Sequence, residues 1–394
     1  MFPPALRLLL VALVPLLGGA APRSATGQNV PLSPQGQQGA ARLKLIRTVQ
    51  VTPDATFKTG SFARINYVPA TDRLVVTFGT KVDPLATPCQ GSGYAYKEYT
   101  ADMQEADRAG TLLSWSASEC EAGDSGSLMV GSAYYLLNVP QGPGYPSYGW
   151  LLTKFDAATW TTLADTFIVL DDPEEGNLDP TVAFINGQLD LSDQYNPAGV
   201  WPDGGFSHHH FYSPDLAPQG TRILSDSLHI SGAGMIQAGG FIYLVSANRY
   251  DGDLVVLTYD ATWNFIGMKE LRKMAYWSQG LAFDGQRFYV AYLDTSQRDP
   301  EAFFPVHHNV RLAAFDRAWD LIDDVAVTEF VPADLKQPGR PWVILHANKL
   351  YVSYDCDTID PGTLEEERMW QAWVSIYELQ RVGTVRRALR SRAE

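Results

Sequence analysis

The chain has 394 residues, 45% of them apolar and 12% aromatic, with 33 glycines and 25 prolines. That composition suits a large core built from many short strands joined by tight turns. Its formal net charge of −14 would repel phosphate backbones and excludes nucleic acid as an expected partner.

The chain opens like an export signal. Arg7 precedes an apolar run from Leu8 to Ala20, and small residues follow, so residues 1–25 read as a signal peptide. The run is shorter than the ~20 residues a membrane-spanning helix needs, and no later segment is long and apolar enough. Residues 26–40, rich in Gly, Pro, Gln and Ser, read as a flexible linker. The expected location is therefore secreted, extracellular or periplasmic, with no membrane span in the mature chain. Export permits disulfides, and the odd number of cysteines leaves one of Cys89, Cys120 and Cys356 without an intramolecular partner. Cys89–Cys120 is the favoured pair and Cys89–Cys356 the alternative.

Residues 41–380 carry a repeat. A strand enters a tight turn and leaves as an apolar or aromatic strand at Tyr67–Val76, Val130–Leu136, Ile185–Leu191, Ala238–Leu244, Phe283–Val290 and His346–Val352. Asn186-Gly187, Gly239-Gly240 and Asp284-Gly285 are pairs that tolerate the positive φ of two-residue hairpin turns. A second feature follows each hairpin: an apolar strand ending in an aromatic, then Asp, then often Trp. It is clearest at Phe155-Asp156 with Trp160, Tyr259-Asp260 with Trp263 and Phe315-Asp316 with Trp319. Weaker copies are Tyr99 with Asp102, Tyr212 with Asp215 and Tyr377 with Glu378. The aromatics recur every 47 to 62 residues. Units of four strands that cannot bury both faces alone are stabilised by radial stacking, which predicts an all-β fold: a six-bladed β-propeller. Blades are expected at 60–119, 123–172, 178–227, 230–273, 278–331 and 340–380. The sixth lacks an outer strand, and Leu43–Val51 has the alternation to supply it, so ring closure by an N-terminal strand is predicted. Residues 381–394 form an Arg-rich tail, expected to be a solvated end.

Strand order then places the candidate site. In such a meander the B-to-C loops and the D-to-A links share one face. The B-to-C loops are long: Lys81–Gly93, Pro140–Tyr148, Asp193–Ser207, Asp294–His308 and Asp355–Met369, with only Arg249–Asp253 short. Long loops on one side of a rigid scaffold point to function there. Innermost strands begin at this face with Ser61 and Phe62, Asp124, Asp179, Ser231, Ser278 and Gln279, and Arg340. Asp124 and Asp179 are candidate acid–base groups or polar ligand contacts, and equally candidate turn caps. Trp201, Tyr250, Trp277, Phe303, Phe304, Trp342 and Trp370 fall in the same loops or strand starts, as stacking platforms or as wedges between blades. The ligand-binding set read from the sequence is Asp124, Asp179, Trp201, His229, Trp277, Gln279, Arg340 and Trp342. His208-His209-His210 matches no metal signature; alternation allows two of the three to converge, with His229 or His307 and His308 nearby, and a polar strand edge is the expected role. The acidic run Glu365–Glu367 reads as a solvated loop. No metal or cofactor is expected.

Three resemblances bear on function. The blade pattern resembles secreted bacterial six-bladed propellers, a likeness of architecture that implies no single activity. Glu121–Leu128 resembles the nucleophile segment of trypsin-like serine proteases, but Ser125 stands at a strand start and the repeat accounts for the segment. Leu178-Asp179-Pro180-Thr181-Val182, followed by an Asn-Gly hairpin, resembles a blade start of family-43-type glycosidases. That likeness implies an inverting carboxylate pair, with Asp124 and Asp179 in the acidic ring. The sequence departs from it in having six repeats rather than five, and Ser231-Gly232 where a general acid would stand. The expected function is binding of an extracellular ligand, carbohydrate among the candidates, by a monomer on the long-loop face; the alternative is a glycoside hydrolase or lyase using the same carboxylates.

Overall fold

Asn186 and Gly187 (φ 52° and 80°), Gly239 and Gly240 (61° and 84°), and Ala347 and Asn348 (48° and 61°) occupy the left-handed region at two-residue hairpin turns. That geometry matches the twist of the flanking strands. The computed structural model describes residues 41–54, 56–57, 59–80, 92–115, 125–139, 149–170, 180–195, 206–224, 230–248, 253–273, 275–294, 308–331, 334, 336–358 and 370–381. All belong to one compact unit, Leu32–Glu394.

The described residues form six four-stranded antiparallel blades and no α-helix. Blade 1 is β2 (Ser61–Val68), β3 (Arg73–Thr80), β4 (Ser92–Tyr99) and β5 (Glu105–Trp115). Blade 2 is β6 (Ser125–Val130), β7 (Ala133–Asn138), β8 (Gly149–Asp156) and β9 (Thr162–Val169). Blade 3 is β10 (Thr181–Ile185), β11 (Gln188–Tyr195), β12 (Phe206–Tyr212) and β13 (Pro218–Leu224). Blade 4 is β14 (Ile230–Ala238), β15 (Phe241–Asn248), β16 (Asp253–Asp260) and β17 (Phe265–Arg272). Blade 5 is β18 (Ala275–Phe283), β19 (Phe288–Asp294), β20 (Asn309–Phe315) and β21 (Leu321–Ala326). Blade 6 is β22 (Lys336–His346), β23 (Lys349–Thr358) and β24 (Gln371–Arg381), with β1 (Ala41–Gln50) as its outer strand. The β1–β24 ladder runs from Ala41 opposite Arg381 to Gln50 opposite Trp373, with Val49 opposite Val374. The ring is closed as the leftover N-terminal strand predicts.

Six apolar cores lie between successive blades, and each draws residues from two neighbours. One joins Tyr94 and Tyr96 of blade 1 to Tyr134 and Phe155 of blade 2. Others follow between blades 2 and 3, 3 and 4, and 4 and 5. Leu293 meets Val352 and Leu43 between blades 5 and 6, and Tyr351 meets Phe78 between blades 6 and 1. The cores form a cycle with no open side, so every blade buries both faces. The inner strands also approach closely. A Cβ at Gly126 would stand 2.9 Å from Pro180 O, and one at Gly280 2.7 Å from Val343 N. Ala233 of β14 and Ser278 of β18 form a parallel bridge that joins blades 4 and 5.

The aromatic–Asp–Trp repeat closes the hairpin between the third and fourth strands. Asp260 Oδ1 accepts from Thr262 N (2.8 Å) and Asn264 N (2.9 Å), and Asp316 Oδ1 from Ala318 N (2.8 Å) and Asp320 N (2.9 Å). Trp160, Trp263 and Trp319 follow with φ of 60°, 66° and 62°. A bulky residue is rarely found there. The turn holds it because it aims the indole toward the preceding blade: Trp160 stacks on Tyr96 of blade 1 at 4.5 Å, and Trp319, stacked on Phe288 of its own blade at 4.0 Å, stands 5.5 Å from Tyr243 of blade 4. These tryptophans are the wedges between blades. The weaker copies need correcting. The residue that caps the turn directly follows the aromatic, so it is Thr100, whose Oγ1 accepts from Gln104 N, and Ser213, whose Oγ accepts from Ala217 N. Met103 and Leu216 take the left-handed position at φ 53° and 63°. Asp102 instead pairs with Lys349 of blade 6, and Asp215 with Lys154 of blade 2.

Blades 5 and 6 begin at Ala275 and Lys336, a few residues before the expected 278 and 340, because their inner strands continue through a bulge. Cys356, expected in a loop, lies inside β23, which continues to Thr358. It is a free, buried thiol, with Sγ 3.7 Å from Asp357 O. Cys89 and Cys120 lie outside the described residues, as do residues 1–40, 382–394 and Glu365–Glu367.

Candidate functional site

The two faces of the disc differ. On one, the strand connections span two to five residues and close upon their own side chains. On the other, the second-to-third strand connections span 10 to 14 residues in five blades and four in blade 4. Asp124, Asp179, Trp201 and His229 lie outside the described residues. Trp277 and Gln279 are on β18.

Arg340 and Trp342 are described in full, and they belong to a cluster at the junction of blades 6 and 1. Its origin is a backbone irregularity repeated around the ring. Between Ser61 and Arg64, Ser231 and Gly234, and Gly339 and Trp342, three steps on the inner strand oppose two on its neighbour; between Tyr276 and Gly280 four oppose two. Extra residues of this kind re-aim side chains beside sites. Blades 2 and 3 pair in regular register at the corresponding ladders. In blades 1 and 6 the bulge puts Phe62 (φ 51°) and Arg340 (φ 48°) in the left-handed region.

These two residues meet on one carboxylate. Asp355 of β23 is fully buried, and its Oδ2 accepts from Phe62 N at 2.7 Å and Arg340 Nη1 at 2.8 Å. The Arg340 guanidinium stands 3.8 Å from the Phe62 ring centroid and 4.7 Å from that of Trp370, within cation–π range of both. Arg64, also buried, donates through Nη1 to Arg340 O at 2.9 Å and lies 5.4 Å over the Trp342 ring. Ser353 Oγ donates to Ala63 O at 2.9 Å and accepts from Ile65 N at 3.1 Å. A buried carboxylate costs several kcal/mol in desolvation unless paired, and here a guanidinium and an amide offset that cost. Gly339 makes room: a Cβ there would stand 2.9 Å from Asp355 Oδ1. Burial, followed by the charge of Asp355, pushes the neighbouring Cys356 thiol up to about 12.

Arg340, Phe62 and Trp342, which the sequence places at strand starts of the long-loop face, meet here with Asp355 and Arg64, which it does not single out. Asp355 reads as the start of a loop, and neither Phe62 nor Arg340 belongs to the residue types that advertise a left-handed conformation. The side chain of Arg340 is 18% exposed and that of Asp355 is wholly buried, so Arg340 presents the charge and Asp355 positions it.

The histidine triplet corrects a further expectation. His208, His209 and His210 are buried within β12, not at a polar strand edge. His209 donates through Nδ1 to Asp190 Oδ1 at 2.8 Å, beneath Trp263 on the blade 4 side. His210 meets Trp150 on the blade 2 side, its ring centroid 4.2 Å from that of His208.

No family model and no curated protein matches the chain. Among solved structures it is similar to a subtype N10 neuraminidase-like protein of A/little yellow-shouldered bat/Guatemala/060/2010. That match has 7% identity and a TM-score of 0.49, and covers 87% of this chain and 100% of that one. A second is an alpha-L-arabinofuranosidase from Lactobacillus brevis, with 13% identity and a TM-score of 0.43, covering 64% of this chain and 90% of that one.

Proposed function

We propose that this propeller is an extracellular binding protein whose ligand, a carbohydrate chain, docks on the long-loop face over the channel mouth. The observation that carries the reading is the asymmetry of the disc. All connections longer than five residues leave from one face. That face also holds the bulged strand starts and an arginine braced between two aromatic rings. Rings beside a fixed guanidinium suit a sugar, whose C–H faces pack on aromatics and whose hydroxyls accept from N–H donors. Asp124, Asp179, Trp201, His229, Trp277, Gln279 and Trp342 complete the proposed surface. An export signal at residues 1–25 supports the extracellular assignment, and no helix among the described residues is long and apolar enough to cross a membrane.

Affinity electrophoresis in a panel of soluble polysaccharides tests this. The wild-type protein is expected to be retarded by at least one of them. Trp201→Ala and Arg340→Gln should weaken that retardation at least tenfold, while Asn186→Arg on the opposite face leaves it unchanged. Retardation lost equally in Asn186→Arg, or absent across the panel, would contradict the assignment. Release of reducing sugar that disappears in Asp124→Asn or Asp179→Asn would convert the binding reading into the hydrolase reading.

A further inference from the structure

We propose a transition-metal site between blades 2 and 3, anchored by His208 and His210. The two residues are alternate positions of β12, so their side chains share a face, and their ring centroids stand 4.2 Å apart. Both are at least nine-tenths buried, at 4% and 5% exposure. Nε2 of His210 finds no hydrogen-bond partner among the described residues. Across the blade interface Trp150, fully buried and edge-on to His210 at 5.3 Å, has an Nε1 equally without an acceptor. Two polar ring atoms left unsatisfied at one spot are uncommon in a closed core, where the desolvation of each goes uncompensated. An ion carrying a water answers both: imidazole nitrogen binds the metal, and the metal-bound water accepts from the indole N–H.

The chemistry favours zinc or a neighbouring late first-row ion. Imidazole binds such ions at about 2.0–2.1 Å, and rings this close reach a common centre. The ligating form is the neutral ring. In the β11–β12 ladder the residue opposite His208 is Asp193, and the one opposite His210 is Leu191. His209 points the other way and is engaged by Asp190, so the pair and not the triplet forms the anchor. The site lies between blades 2 and 3 and uses none of the residues of the proposed ligand surface, so it does not depend on that reading.

Calorimetric titration of Zn2+ into tag-free, chelator-treated protein at pH 7.5 tests the assignment, with Co2+ absorption as the spectroscopic readout. One equivalent of Zn2+ should bind, Co2+ should give ligand-field bands, and Zn2+ but not Mg2+ should raise the melting temperature. His210→Phe and His208→Phe should each weaken Zn2+ binding at least tenfold, while His346→Ala on the opposite face should match wild type. Should the phenylalanine variants fail to fold, the wild-type melting shift alone decides. Absence of saturable Zn2+ binding, a melting temperature unmoved by Zn2+, or undiminished binding in both folded variants overturns the site.

Discussion

Asp355 is the residue on which the junction of blades 6 and 1 turns. It is fully buried, receives the amide of Phe62 from one blade and the guanidinium of Arg340 from its own, and leaves Arg340 facing the loop side. Asp355→Asn keeps the shape but strands a mostly buried guanidinium, and should lower stability by about 2–4 kcal/mol in urea unfolding. Unchanged stability would show that the pair is dispensable. The same surroundings silence Cys356. With its thiol raised to about 12 and buried, it should resist a thiolate-directed reagent at pH 7.5 in the native protein and react once unfolded. These residues were hard to read in the sequence for a physical reason. An acid near a loop usually faces water, and nothing local announces that a backbone bulge will fold Gly339 away to admit it. His208–His210 mislead in the same way, since three adjacent polar rings suggest a wet edge until two apolar blades close over them.

The recurring element is the hairpin between the third and fourth strands, which combines a capping oxygen with a left-handed aromatic wedge. Aspartate, serine and threonine all serve as caps because the turn needs only a side-chain oxygen in reach of amides two to four residues on. That tolerance is why the motif is legible at Asp156, Asp260 and Asp316 and shifted by a few residues at Asp102 and Asp215. The wedge carries more of the stability. Trp319→Ala removes an indole stacked on Phe288 and tilted against Tyr243 at 5.5 Å, and should cost about 3–5 kcal/mol. The caps add a pH dependence of defined sign. The Asn264 N–H groups, then Thr262, hold the Asp260 carboxyl well below the usual carboxylate range, and Thr159 lowers that of Asp156. A carboxyl lowered in the folded state contributes stability above its unfolded value, near pH 4, and loses it as the pH falls through the folded value. The loss of urea resistance between pH 7 and pH 3 should therefore be smaller in Asp260→Ala than in wild type. An equal loss would deny the cap this role.

At the scale of the molecule, the account rests on a ring whose ends meet in one blade. The repeat is legible because six hairpins and their aromatics return at a common spacing, and the missing sixth outer strand points to residues 43–51. What periodicity cannot express is the contact between inner strands, where Gly126 and Gly280 lie against the next blade's backbone. The closure itself admits a direct measurement. Thr48 Oγ1 of β1 and Ser375 Oγ of β24 stand 2.9 Å apart in residues paired across the ladder, so cysteines at both positions should bridge without moving the backbone. In a Thr48→Cys, Ser375→Cys variant under mild oxidation, mass spectrometry should find the two peptides joined within one chain, and the melting temperature should rise. No crosslink, or one formed only between two molecules, would contradict the closed ring and the loop-face site built on it.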